Sequence, residues 1–149
     1  MIRAVVARGH GVASGSAGDP RFPGGTLALQ FPIFAARGLD LRGIHPGTLN
    51  LDISPARYEI LQSKLTLTKI QWHPDCPPED FSFFDCEIAV IGGKAPISAL
   101  IYYPHPETKP EHFQAASILE VLAPKLPDLH YGQVIEITPA PEQLRLLLP

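Results

Sequence analysis

The chain has 149 residues, 45% of them hydrophobic, enough for one domain spanning 1–149 with a true core that buries about 68–70% of its unfolded surface. Twelve Lys and Arg against fifteen Asp and Glu give a net charge of −3 without a basic cluster, which argues against a nucleic-acid partner. No stretch reaches the ~18 apolar residues of a membrane span, and the opening MIRAVVARGHG has too short an apolar run for a secretory signal. A cytoplasmic protein with no membrane partner and with reduced Cys76 and Cys86 is therefore expected.

Seventeen prolines and twelve glycines are spread between short apolar runs, the punctuation of an all-β domain and not of a disordered tract. In chain order, strands are predicted at residues 2–8, 26–31, 48–53, 64–70, 83–91, 97–103, 118–122 and 133–138. Residues 33–37 read as one short helix ended by Gly38. Strands of this number and length close into a barrel or stack as a sandwich. The last segment, EQLRLLLP, is apolar and reads as a flap that packs on the barrel or on a second subunit, giving a homo-oligomer in the latter case.

The segment GHGVASGSAGDPRFPGG places Gly9, Gly11, Gly15, Gly18, Gly24 and Gly25 directly after the first strand. Such a backbone approaches a ligand closely and aims N–H groups at an anion, or simply connects two elements. It matches neither a P-loop nor a dinucleotide fingerprint.

In HPGTLNL, Leu49, Leu51 and Ile53 alternate with Thr48, Asn50 and Asp52, so the Thr48 hydroxyl and the Asn50 amide oxygen lie on one side of a strand. Two neutral oxygens suit Mg²⁺, which keeps several waters and takes its charge neutralisation from substrate phosphates. The alternative is that the two residues cap a turn or face solvent. His73, Asp75, Cys76 and Cys86 have a spacing that fits no common structural zinc pattern. His105, Glu107, Glu111 and His112 sit in a proline-rich loop, YPHPETKPEHF, either as acid–base groups or as a solvated surface.

Taken in order, GVASGSAGDPRF, HPGTLNLDI, PEDFSFF, ALIYYPHPETKPEHFQAASILEVLAP and YGQVIEI resemble the CTP-dependent riboflavin kinases, known mainly from archaea. The resemblance spans nearly the whole chain, and its most specific pieces are PGTLN and the EVLAP run at 120–124. It implies a six-stranded cradle-loop β-barrel with one or two short helices. It also implies Mg²⁺-dependent phosphoryl transfer from CTP to riboflavin, giving FMN, with Thr48 and Asn50 holding the metal. By the same resemblance Gly15, Ser16, Ala17, Gly18, Asp19 and Arg21 hold the nucleotide, helped by Lys125. Thr108 and Glu120 contact the flavin, with Glu120 the one candidate catalytic group.

The chain departs from the family pattern in its nucleotide loop, which carries Asp19 and Pro20, and in the short KLPDLHYG segment, where Lys125 is the one Lys or Arg. A non-catalytic relative that binds a flavin or a nucleotide is the alternative reading.

Overall fold

The computed structural model describes residues 1–8, 25–93, 95–109 and 116–149; the segment of Gly15, Ser16, Ala17, Gly18, Asp19 and Arg21, and Glu111 and His112, lie outside them. In chain order the elements are β1 (Ile2–Ala7), α1 (Thr26–Ala36), β2 (Leu49–Asp52), β3 (Arg57–Ile60), β4 (Leu65–Ile70), β5 (Glu79–Val90), β6 (Ile97–Pro104), β7 (Ile118–Leu122), β8 (Val134–Pro139) and β9 (Leu144–Leu147). Six strands close a barrel in the order β5-β6-β7-β2-β1-β8 and back to β5, with every pairing antiparallel. Closure removes the open edges that a small sheet would otherwise present.

The length of β5 makes this possible. Its twelve residues pair with β6 along Phe81 to Ile88, accept β4 beside the N-terminal half, and accept β8 from Cys86 to Val90. β4 is thus a seventh strand appended outside the barrel.

Period-two alternation sorts the side chains into two cores. Val6, Leu51, Phe84, Ile101, Val121 and Ile137 point inward and are at most 4% exposed. The opposite face of β4, β5, β6 and β7 is covered by α1. There Phe34 meets Phe81 and Phe83 edge-on, at ring-centroid distances of 5.0 and 5.2 Å. Each such pair contributes about 0.5–1.5 kcal/mol beyond its buried area.

The predicted strand at 26–31 is corrected by the structure: these residues form the first half of α1. The run TLALQF alternates in hydrophobicity, but the side that packs is spaced by three and four, with Leu27, Gln30 and Phe34 buried and Leu29 exposed. The helix end agrees with the sequence. Gly38, at φ 102°, donates to Ala35 O while Leu39 donates to Phe34 O, closing a left-handed C-terminal cap.

Two further strands escaped the sequence pattern. β3 and part of the expected flap, β9, pair with each other from Arg57–Leu147 to Ile60–Leu144. β9 buries Leu144 against the barrel. The turn before β9 is tied to β5, because the Asp85 N–H donates to Gln143 Oε1 at 2.7 Å and Gln143 Nε2 donates to Asp85 Oδ2 at 2.9 Å. Cys76 and Cys86 are both buried, with no disulfide between them, and burial pushes the Cys86 thiol up to about 12. Among the described residues no helix is long and apolar enough to cross a membrane.

Candidate functional site

The start of β2 and the end of β7 are fastened together. Asn50 pairs with Glu120 and Leu49 with Val121, and just beyond the ladder the His45 N–H donates to Ala123 O at 3.0 Å. The PGTLN and EVLAP stretches, some seventy residues apart in sequence, therefore face each other across one ladder. A cleft of about 460 Å³ opens where the two chains diverge, lined by Thr48, Asn50 and His45 on one side and by Lys125, His130 and Tyr131 on the other.

Three features give this cleft its chemistry. The first is a buried oxygen: Asn50 Oδ1 has no hydrogen-bond partner among the described residues. Leaving such an acceptor buried and unpaired costs about 1–3 kcal/mol, so the fold holds ready a group that gains on meeting a donor or a cation. The second is the neighbour, Thr48, which lines the same cleft and lies two residues away at the start of the strand. The third is the sign of the wall. In a chain of net charge −3, the described residues around the cleft include Lys125 and two histidines and no Asp or Glu. That composition favours an anionic guest.

Glu120 lies directly opposite Asn50 in the ladder, where side chains stand about 4.5–5.5 Å apart at Cβ. It lines a second pocket, of about 300 Å³, together with Tyr58, Tyr103, Phe84 and Lys109. Burial, then the nearby Tyr103 and the Glu120 charge, push the Tyr58 phenol up to about 12, so it stays protonated at any physiological pH. Burial and the charges of Glu120 and Glu79 also raise the Tyr102 phenol, whose O–H donates to Gln30 Oε1 on α1 at 2.7 Å.

Of the residues expected from sequence, Thr48, Asn50 and Lys125 line the first cleft and Glu120 the second. Thr108 takes another place. Its hydroxyl accepts the Asp80 N–H at 3.0 Å and donates to His105 O at 3.2 Å, and it fastens a turn without lining Glu120's pocket; its neighbour Lys109 does line it. Sequence reasoning missed His45, His130 and Tyr131. His45 directly precedes PGTLN, which is a signal of position, whereas nothing local marks His130 or Tyr131.

A second polar constellation sits on β4, β5 and the loop after β6. Ser82 Oγ lies 2.7 Å from His105 Nε2, and His105 Nδ1 lies 3.0 Å from Glu107 Oε1, the order of a nucleophile, a base and an orienting acid. The Ser82 hydroxyl also shares a 2.7 Å bond with Thr66 Oγ1, which in turn bonds Ser63 Oγ at 2.7 Å. Ser82 is buried and lines neither pocket, and this chain of hydrogen bonds cross-links β4, β5 and the loop. No group of three or more His, Cys, Asp or Glu among the described residues is arranged to hold a metal ion.

Compared with known proteins, the chain matches no family model and no curated protein.

Proposed function

We propose that the protein is a Mg²⁺-dependent small-molecule kinase that moves the terminal phosphoryl group of a nucleoside triphosphate onto riboflavin, giving FMN. The observation that carries this reading is the Asn50–Glu120 pair, two cross-strand neighbours of which one lines a cleft with no Asp or Glu among its described residues and the other an aromatic-walled pocket. A donor on one side and an acceptor on the other would meet at that pair. The resemblance of PGTLN and EVLAP to the CTP-dependent riboflavin kinases supplies the identity of acceptor and metal.

The residues present fit a hard divalent cation. Asn50 Oδ1 is an acceptor without a partner among the described residues, and Thr48 adds a second neutral oxygen on the same cleft. Bound there with a polyphosphate, Mg²⁺ would neutralise charge on the transferred group. The chain's own side chains do the remainder. Lys125 attracts the phosphates, and the Tyr58 and Tyr103 rings hold the flat acceptor in the smaller pocket. Glu120 accepts the acceptor hydroxyl and takes its proton as the new P–O bond forms and the bond to the leaving diphosphate breaks.

The test is to incubate the purified chain with riboflavin, Mg²⁺ and each common nucleoside triphosphate, and to follow FMN by chromatography with fluorescence detection. FMN and an equal amount of nucleoside diphosphate are expected. Riboflavin binding without FMN formation from any donor would leave a flavin-binding relative in place of a kinase.

A further inference from the structure

The same cleft that is lined by Asn50, Thr48 and Lys125 is also lined by Leu126, Pro127, Leu129 and Tyr131, apolar faces with one aromatic ring. Tyr131 is 58% exposed, although a large aromatic of this kind ordinarily covers some neighbour. It is also held firmly. Gly132, at φ 88°, donates to Val6 O at 2.7 Å, and Val6 donates to Gln133 O at 2.8 Å, so the turn bearing Tyr131 is clamped to β1 on its C-terminal side. The Arg8 guanidinium lies over the ring, 4.3 Å from its centroid, and adds positive charge beside it.

A rigid, exposed aromatic beside a polyphosphate cleft is what a nucleobase needs for stacking. We infer that Tyr131 is the platform on which the donor's base lies when its phosphates reach Asn50 and Lys125. This rests on the phosphate reading of the cleft and adds the base to it. Stacking of this kind accepts any base, because every base has a π-face, so the platform serves nucleoside triphosphates in general, and purines, with the larger face, bind at least as tightly as cytosine.

Calorimetry on the full chain with Mg²⁺ and ATP, CTP or inorganic tripolyphosphate separates the two halves of the site. Wild type is expected to bind both nucleotides about tenfold or more tighter than tripolyphosphate, the usual contribution of one stacked base. Tyr131→Ala removes that advantage and leaves tripolyphosphate unchanged, Tyr131→Phe restores it, and Tyr131→Leu, with bulk but no planar face, does not. Equal binding of nucleotide and tripolyphosphate to wild type overturns the platform and leaves the phosphate site standing. Equal weakening of all three ligands by Tyr131→Ala overturns it too. Failure of all three to bind wild type overturns the phosphate site and the platform together.

Discussion

Two polar regions of this barrel look alike in composition and differ in what they lack. The chain from Ser63 through Thr66, Ser82 and His105 to Glu107 has the outline of a catalytic triad, yet each link is made and neither pocket reaches the serine. The cleft at Thr48 and Asn50 holds less conspicuous residues, but one buried oxygen there is unpaired among the described residues and about 460 Å³ of space lies beside it. A satisfied network rigidifies a fold. An unsatisfied acceptor buried beside open space marks where a ligand is expected.

That contrast is sharpest in substitutions that move activity and stability in opposite directions. Asn50→Leu, close in volume, is expected to lower FMN formation by roughly two to three orders of magnitude, the scale of losing one electrostatic contact in a phosphoryl-transfer site. The same change leaves the melting temperature equal or higher, because it removes a buried oxygen that has no partner among the described residues. A clear fall in stability would mean that Asn50 is structural. Glu120→Gln keeps the shape and is expected to cost about 10²-fold in turnover, with riboflavin affinity measured by fluorescence quenching little changed.

His105→Ala tests the other region. It leaves Ser82 bonded to Thr66 and removes the link to the Pro104–Lys109 turn, with an expected loss of about 1–2 kcal/mol in urea unfolding and turnover per folded molecule unchanged. Loss of turnover without loss of stability would make the Ser82 chain the working site.

The smallest effect concerns Glu79, buried beside β4 and hydrogen-bonded by Trp72 Nε1 at 2.8 Å. Burial raises its carboxyl above the ordinary value. A raised folded-state value means that its protonated form favours the fold, so this contribution is complete at low pH and is lost as pH rises through the folded value. Glu79→Gln should therefore raise the melting temperature at pH 7 and change it little at pH 4, as checked by parallel thermal scans.

Much of the barrel was legible because its strands are bounded by Gly and Pro and alternate with period two: seven of the predicted runs overlap β1, β2, β4, β5, β6, β7 and β8. The run at 26–31 misled because Leu27, Leu29 and Phe31 alternate over six residues, too short a window to tell two from 3.6. β3 and β9 were hidden for a different reason. Each has four residues, and their pairing joins positions almost ninety apart. At the site, Thr48 and Asn50 could be paired from strand geometry alone, since their relation is local. That Asn50 faces Glu120, and that His130 and Tyr131 close the cleft, depends on how β7 and the turn before β8 return to β2 and β1, which no spacing encodes.

The central claim is that the partner of the Asn50 oxygen is a divalent cation arriving with polyphosphate. Mn²⁺ titration followed by electron paramagnetic resonance, with and without tripolyphosphate, tests it most directly. Tight Mn²⁺ uptake is expected only when tripolyphosphate is present, and it should disappear in Asn50→Leu. Uptake that ignores tripolyphosphate, or that survives the loss of the Asn50 oxygen, would contradict the account.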